Sequence, residues 1–501
     1  MNVSALRLPL SRNSGALRRM SRWIRAGGFA FAMQTGAAWA SASDVSHAAD
    51  HHGLDGALLP LTSCLPFVGM LLSIALMPLC APRFWHRHDG KICFAWSLAL
   101  LVPLAATISV QASLATVVHA VLSEYMPFIV LLTALYTVAG GISVRGNLHG
   151  TPAVNTAMLA VGTALASVMG TTGAAMLMIR PVLRANDNRT HRVHVVVFFI
   201  FLVANAGGAL TPLGDPPLFI GFLNGVTFAW TASHLLLPLL LVSTLLLAVF
   251  YVTDRFFYRQ SREERAAFLD PTPDSRMIWL EGKRNIPLLA LISAAVLMSG
   301  IWQPGIAFEV MGTRLELQNL VRDALLVGIT LISLFVTPRP VREHNAFNWA
   351  PIKEVAKLFA GIFITIAPVI ALLHAGERGA LAGLSQWVSH ADGTPDTMKY
   401  FWVTGVLSSF LDNAPTYLVF FNLAGGDAHH LMTDGAATLA AVSAGSVFMG
   451  AMTYLGNAPN FMVRSIAQSR GIVMPGFFGY MLWSGAILIP VFAMLSAVFF
   501  L

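Results

Sequence analysis

Charged side chains are scarce in this sequence of 501 residues, since Lys and Arg together number 31 and Asp and Glu number 24. Only 11% of the residues are charged and 56% are hydrophobic, whereas a typical soluble protein is roughly 25% charged. Despite a net charge of +7, this composition excludes a soluble enzyme, a disordered scaffold and a nucleic-acid-binding domain. It predicts a multi-pass membrane protein whose Lys and Arg residues are concentrated in cytoplasmic loops.

Cysteine is also scarce, and Cys64, Cys80 and Cys93 lie in or beside apolar runs without the spacing of metal ligands. We interpret them as packing residues. The sequence also lacks a Walker A motif, a His-Glu-x-x-His motif and a Gly-x-Ser-x-Gly motif. Without these motifs, the sequence gives no support for ATP-driven transport or for hydrolysis in the membrane. We therefore expect neither an enzyme nor a bound cofactor.

The N-terminal segment has the composition of a secretory signal peptide. Residues 1–25 contain six Arg and no acid, and an apolar stretch then leads to the small residues Ala40-Ser41-Ala42. We therefore predict a signal peptide or leader over residues 1–42 and a periplasmic lead over residues 43–60. An uncleaved first anchor and a start at Met20 are the alternatives.

The apolar runs leave room for roughly ten or eleven passes at about 20 residues each. Basic residues follow the first run, Leu61–Cys80, and predict that this end faces the cytoplasm of a bacterial-type inner membrane, with a periplasmic N-terminus. The charged stretch 254–284 is predicted to be a cytoplasmic linker. It would separate an N-terminal half, residues 61–253, from a C-terminal half, residues 285–501.

Two apolar segments are flanked in a way that suggests hairpins. Segment 153–183 has Arg residues on both sides, so that it is expected to enter from the cytoplasm and return there, with its tip at Gly170–Gly173. Segment 400–425 is followed by no Lys or Arg until Arg464, so that it is expected to enter from the opposite side. Such tips must be buried in protein, because lipid cannot satisfy their backbone groups.

The sequence contains an internal repeat with an offset of 242 residues. Residues 208–219 (GALTPLGDPPLF) and 450–461 (GAMTYLGNAPNF) are identical at seven of twelve positions. The same offset pairs Gly170 with Asp412 and Thr171 with Asn413, so that the two hairpin tips share one register. We predict an all-α polytopic membrane protein with inverted-topology repeats, two re-entrant hairpins and two broken helices, which is typical of secondary transporters.

Gly and Pro within the repeated segments interrupt helical hydrogen bonding. The freed carbonyls, with nearby Thr and Asn side chains, form an oxygen-rich environment that suits a small hard cation, although a kink that serves packing alone is the alternative. The predicted binding residues from the breaks are Asn205, Thr211, Thr453 and Asn457. Those from the tips are Thr171, Thr172, Asn413 and Thr416.

The few acidic residues within apolar segments narrow the range of possible functions. A carboxylate at membrane depth costs about 2.5–3.5 kcal/mol and suggests a function, and Asp215 and Asp412 lie at a helix break and a hairpin tip on opposite repeats. Burial favours the protonated carboxyl, whereas a bound cation favours the carboxylate, so protons and cations would compete. This competition predicts cation/proton antiport. Alternatively, each Asp caps a half-helix. Glu124 is a third candidate, as a proton relay or as an interfacial residue.

On segments 205–217, 411–416 and 450–460, the chain resembles the Ion Transporter superfamily. Its members include the D-type sodium/proton antiporters, the arsenite pump membrane subunits and the citrate and dicarboxylate carriers, and the subgroup that the chain resembles is labelled both sodium:proton antiporter and citrate transporter. The resemblance implies a scaffold region, a mobile transport region, elevator-like alternating access and a homodimer. An Asp at position 412 departs from the Ser-Asn-Thr tips of dicarboxylate carriers and favours cation/proton exchange.

Three functions remain open at this stage. The first is sodium or lithium/proton antiport, and the second is sodium- or proton-coupled transport of citrate or a dicarboxylate. A passive channel or a subunit of a membrane assembly is the third. The expected partners are the lipid bilayer and either a monovalent cation with a proton or a carboxylate substrate, with no nucleic acid.

Overall fold

The computed structural model describes residues 54–146, 148–260 and 279–501. The predicted signal peptide, residues 43–53 of the predicted periplasmic lead and most of the predicted linker therefore lie outside the described residues. Within them, nine helical stretches are long and apolar enough to cross a membrane. The prediction of an all-α polytopic membrane protein is confirmed.

The first part of the chain is a series of long helices. A single 3₁₀ turn, Leu61–Cys64, leads into them, and a π-helical turn, Ala120–Tyr125, connects α3 to α4 without a break in the chain direction. The helices are α1 (Leu65–Cys80), α2 (Pro82–Thr107), α3 (Val110–His119) and α4 (Met126–Ala139).

A hairpin and a broken helix follow. They comprise α5 (Pro152–Met169), α6 (Thr171–Ala185), α7 (Val193–Leu202), the 3₁₀ turn Ala206–Leu210, and α8 (Pro216–Leu223). Nine of the ten residues of α7 are buried, which explains why this helix, apart from His194, is apolar all round rather than on one face. Helix α9 (Phe228–Gln260) then continues through the first seven residues of the predicted linker.

Two short antiparallel pairs of strands connect parts of the helical framework. Strand β1 (Ser143–Arg145) pairs with β2 (Trp279–Glu281), which joins the end of α4 to the start of the second half. Strands β3 (Ala307–Val310) and β4 (Thr313–Glu316) form a hairpin between α10 and α11.

The second half, residues 285–501 of the described chain, contains twelve helices. Its helices are α10 (Asn285–Ile301), α11 (Leu317–Val336), α12 (Arg339–His344), α13 (Ala350–Thr365), α14 (Ala367–His374), α15 (Ala382–Trp387), α16 (Thr397–Phe410), α17 (Asn413–Leu423), α18 (Ala428–Met432), α19 (Ala436–Met449), α20 (Ala458–Ser469) and α21 (Phe477–Phe499). Two 3₁₀ turns, Gly376–Arg378 and Gly450–Met452, follow α14 and α19.

Four elements of each half correspond under the 242-residue offset: α5 with α16, α6 with α17, α7 with α19, and α8 with α20. Hydrogen bonds repeat as well. Thr211 Oγ1 donates to the carbonyl of Ser167, and Thr453 Oγ1 donates to the carbonyl of Ser409, both at 2.5 Å. Each break is thus tied to the hairpin of its own repeat by the same bond.

The hairpin tips differ in how they turn. Gly170 joins α5 to α6 with φ of +80°, a conformation that residues with a side chain rarely adopt. A Cβ atom at this position would lie 3.2 Å from the carbonyl oxygen of Leu213. The second tip turns at Leu411 and Asp412 without a positive φ, which explains why a residue with a side chain is tolerated where the first repeat requires Gly.

The two repeats pack in a crossed manner. Helix α17, the second arm of the C-terminal hairpin, contacts α8, the half-helix after the first break. In the same way, α6, the second arm of the N-terminal hairpin, contacts α20. Both tips and both breaks are therefore brought to the centre of the molecule.

Candidate ion-binding site between the repeats

A cavity of about 80 Å³ lies where the tips and breaks meet. The acids, amides and threonines of its lining come from these segments, and apolar residues from α4, α8, α13 and α20 complete the wall. Among the residues that line it are Gly170, Thr171, Thr172, Asp215, Asp412 and Asn457. The apolar wall includes Phe128, Leu135, Phe219, Val355 and Phe359.

Asp215 lies at the N-terminal end of α8 and is 2% exposed. Its Oδ1 accepts hydrogen bonds from Thr171 Oγ1 at 2.9 Å and from Asn457 Nδ2 at 3.1 Å, and its Oδ2 accepts one from Asn413 Nδ2. Its side chain makes no capping bond to α8, so the helix-cap alternative does not describe Asp215. Instead, this carboxylate joins the first repeat to the tip and the break of the second.

Asp412 is in a different environment. It is half-buried, lines the cavity and lies at the N-terminal end of α17. Among the described residues, no side chain donates a hydrogen bond to its carboxylate. Of the described groups, only the backbone N–H groups of Asn413 and Ala414 interact with the Asp412 carboxylate, whereas three side chains donate to Asp215. Asp412 is therefore the acid with more free acceptor capacity in the cavity.

A chain of buried asparagines continues behind Asp215. Asn457 Nδ2 lies 3.3 Å from Asn205 Oδ1, and Asn205 Nδ2 donates to Asn460 Oδ1 at 2.7 Å. Asn460 Nδ2 in turn donates to the carbonyls of Gly450 and Thr453 at 2.8 and 2.9 Å. These bonds satisfy backbone groups that the helix break leaves free, and they hold the two repeats together.

Asn460 is absent from the set of binding residues predicted from the sequence. Its counterpart in the first repeat is Leu218, and the counterpart of Asn205 is Val447. Asn205 and Asn460 each correspond to an apolar residue in the other repeat, and these two asparagines bond to each other. An Asn in an apolar segment whose counterpart in the other repeat is apolar is a signal in the sequence, and this signal could have identified Asn460.

The other predicted residues have varied roles. Thr172 lines the cavity, whereas Thr211 and Thr453 do not and use their hydroxyls to tie each break to its hairpin. Thr416 Oγ1 donates to the backbone carbonyl of Asp412 at 3.0 Å. Thr416 therefore supports the second tip from within α17.

Glu124 lies apart from this cavity. It is on the π-helical turn, with Oε1 3.9 Å from His119 Nε2, and its Oε2 has no hydrogen-bond partner within the described part of the chain. Phe128, about one helical turn later, lines the cavity. Glu124 is therefore near the apolar wall but does not belong to the cavity lining.

A second buried polar network supports the base of the first hairpin. Asp254, in the last part of α9, is fully buried. Its Oδ1 lies 2.6 Å from Arg189 Nη2 and 2.8 Å from His194 Nε2, and its Oδ2 accepts a hydrogen bond from Asn155 Nδ2 at 3.0 Å. The network joins α5, the loop after α6, α7 and α9. From its charged composition, the stretch that begins at Asp254 was predicted to be a cytoplasmic linker.

The charge of the cavity is one-sided. Its lining contains two acidic residues and, within the described ranges, no Lys, Arg or His. Carboxylate, amide and backbone oxygens favour small hard cations. A free anion would meet two carboxylates without a compensating side-chain cation.

Two helical hairpins and two broken helices around a pair of acids define a secondary transporter class. The family described as "Putative citrate transport" matches residues 56–500, and the chain belongs to this family. An uncharacterized transporter of Mycobacterium bovis is 24% identical over 365 residues, which covers 70% of this chain and 77% of the relative. A "46 kDa membrane protein" of Mycobacterium leprae is 24% identical over 330 residues, with coverages of 64% and 71%. The chain is a membrane transporter and not an enzyme, as the sequence predicted.

Proposed function

We propose that this transporter exchanges Na⁺ or Li⁺ for H⁺ across the bacterial inner membrane. The observation that carries the proposal is the unequal pair of acids. Asp412 faces the cavity without a side-chain donor, whereas three donors from both repeats satisfy Asp215. A cation or a proton that neutralises Asp412 would remove a charge that is costly in a low-dielectric surrounding.

The residues around Asp412 would have different roles in this exchange. The Asp412 carboxylate and free backbone carbonyls at the breaks would provide oxygen ligands, and Thr172 would add a hydroxyl from the opposite tip. Asp215, with Thr171, Asn413 and Asn457, would hold the two tips in register. The proton would occupy Asp412 in the part of the cycle in which the cation is absent.

Everted membrane vesicles with an imposed pH gradient test this proposal. Addition of Na⁺ or Li⁺ should collapse the gradient in the wild type, and Asp412→Asn should abolish that response. Asp434→Asn is a matched control, because its side chain is 84% exposed and remote from the cavity lining. A wild type that responds to no monovalent cation would overturn the proposal.

Coupled uptake of citrate or a dicarboxylate is the second candidate, and the family description favours it. It predicts accumulation of labelled citrate driven by a Na⁺ or H⁺ gradient, with little effect of Asp412→Asn. Parallel assays with Na⁺, Li⁺, K⁺ and citrate on the same vesicles separate the two functions. Saturable, gradient-coupled transport by purified protein in liposomes would exclude the passive channel or assembly subunit.

The arrangement in the membrane belongs to the same proposal. We place the N-terminus in the periplasm on the distribution of basic residues around Leu61–Cys80, and we expect a homodimer from the resemblance to the superfamily. Accessibility of a single introduced cysteine at Ala57 to an impermeant reagent in intact cells tests the first expectation. The mass of the detergent-solubilised particle by light scattering tests the second.

A further inference from the structure

Three arginines converge near one end of the cavity, on the face that the distribution of basic residues assigns to the cytoplasm. Arg180 and Arg184 lie on α6, and Arg470 follows the last residue of α20. Helices α6 and α20 pack against each other. Arg184 and Arg470 lie near enough to Arg180 for their positive charges to oppose its own, and Tyr136, which lines the cavity, is also near Arg180.

Arg180 lacks the partners that such a charge normally has. Its Nη1 is buried and makes no hydrogen bond in the described part of the chain. Neither Arg180 nor Arg470 forms an ion pair with a described acid. A buried donor without a partner costs about 1–3 kcal/mol, and more when it is charged. Two neighbouring like charges increase that cost.

Two other buried arginines pair with acids, whereas half-buried Arg342 donates to backbone carbonyls and half-buried Arg464 lies over the ring of Tyr454. Arg189 pairs with Asp254 at 2.6 Å, and Arg322 pairs with Asp323 at 2.8 Å. Arg184 is itself held in place, because its Nη2 donates to the carbonyl of Val144 at 2.7 Å. Arg180 therefore differs from these residues, because two further arginines lie near it and it forms no ion pair with a described acid.

We propose that Arg180 and Arg470, with Arg184 beside them, form a binding site for a phosphate or carboxylate oxyanion at this end of the cavity. Guanidinium groups are planar donors whose geometry matches carboxylate and phosphate oxygens. The phosphate of an anionic lipid headgroup and a soluble polycarboxylate share this chemistry. The site is separate from the Asp215 and Asp412 cavity lining and does not depend on the proposed cation exchange.

Binding of two soluble probes to the full-length protein in a neutral detergent tests the site. Isothermal titration with citrate and with pyrophosphate, at fixed ionic strength, should give saturable binding to the wild type. Arg180→Gln and Arg470→Gln should each weaken binding by about tenfold or more, since each removes a charge-assisted contact. Arg87→Gln should leave the affinity within about twofold of the wild type, because exposed Arg87 contributes only general surface charge.

Nanodiscs identify the source of the oxyanion. If a lipid headgroup occupies the site, discs with anionic phospholipid should raise the Tm of the wild type and prevent citrate binding, relative to neutral discs. If a soluble anion is the ligand, citrate should bind equally well in both kinds of disc. In either case Arg180→Gln should lose the response of the Tm to the anion, while Arg87→Gln should keep it.

The Tm without added anion also shows whether the Arg180→Gln variant is folded. Since Arg180→Gln removes a buried charge without a partner, its Tm in neutral detergent without added anion should not fall below that of the wild type. Two outcomes would overturn the proposal. One is an equal response of Arg180→Gln and the wild type to citrate, pyrophosphate and anionic lipid, and the other is no saturable binding and no stabilisation by any of the three.

Discussion

At the scale of single residues, Asp215 lies at the helix break of the first repeat and Asp412 at the hairpin tip of the second, and the two acids have different surroundings. Three donors bond to the carboxylate of Asp215, and Asp412 has no side-chain donor in the described part of the chain. Removing the charge of each residue should therefore have different consequences. Asp215 is expected to govern stability, and Asp412 is expected to govern transport.

Asp215→Asn should lower the free energy of unfolding by about 1–3 kcal/mol, because the new amide places a donor opposite Asn413 or Asn457 and leaves a buried polar group unsatisfied. Asp412→Asn should change the Tm little. Thermal unfolding of both variants in the same detergent measures the difference, with Asp434→Asn as the surface control. A larger loss of Tm in Asp412→Asn than in Asp215→Asn would contradict this assignment.

The Asn205–Asn460 bond offers a second prediction at this scale. Asn460→Leu introduces the residue that the first repeat has at Leu218 and removes one of the hydrogen-bond partners of Asn205, so that the Tm should fall. Adding Asn205→Val, which matches Val447, removes the other partner as well. The double variant should be less destabilised than the sum of the two single variants, because loss of one partner is more costly than loss of both. Strict additivity of the changes in Tm would show that the two amides are not coupled.

At the scale of secondary-structure elements, the tip of the first hairpin depends on one glycine. Gly170 has φ of +80° and ψ of +151°, a region that is essentially restricted to Gly and costs other residues about 1–3 kcal/mol. Gly170→Ala should therefore lower the Tm and reduce transport. Gly383→Ala is the control, since a Cβ there meets no atom within 4 Å; an equal change in both variants would argue against a special role of the first tip.

Many of the secondary-structure elements could be predicted from the sequence. The apolar runs and the 242-residue offset predicted both hairpins and both helix breaks, because membrane burial and Gly/Pro interruptions leave local patterns. The pairing of Ser143–Arg145 with Trp279–Glu281 could not be predicted, since three-residue strands far apart in the chain have no detectable period. The β3–β4 hairpin and the extension of α9 to Gln260 were missed for related reasons, because both are short or charged segments.

The acidic residues of the candidate site could be predicted from the sequence, whereas its hydrogen bonds were harder to predict. Asp215 and Asp412 were identifiable because acids are rare in apolar segments. The bond from Asn413 to Asp215 depends on how one repeat packs against the other, which a single sequence does not reveal. Thr211 and Thr453 were predicted as cation ligands, whereas their hydroxyls bond to the hairpins.

At the scale of the whole molecule, the Asp254 network fixes the base of the first hairpin to α9. Asp254→Asn should lower the free energy of unfolding by about 3–5 kcal/mol, because it leaves Arg189 and its buried charge without this counter-ion. Asp187→Asn, which removes a more exposed partner 3.7 Å from Arg192, should cost no more than about 1 kcal/mol. Thermal unfolding checks both, and similar losses in the two variants would contradict the role of burial at Asp254.

The proposed transport cycle predicts how pH changes the affinity for the cation. If H⁺ and Na⁺ compete for Asp412, acidification reduces the fraction of ionised carboxylate, and the Na⁺ concentration for half-maximal exchange rises by up to about tenfold per pH unit. The rate at saturating Na⁺ should stay nearly constant. Sodium titrations of proteoliposomes at several pH values measure both quantities. Glu124→Gln should preserve this competition, since Glu124 lies outside the cavity lining. A half-saturating Na⁺ concentration that is independent of pH, with a falling maximal rate, would instead assign the proton and the cation to separate groups.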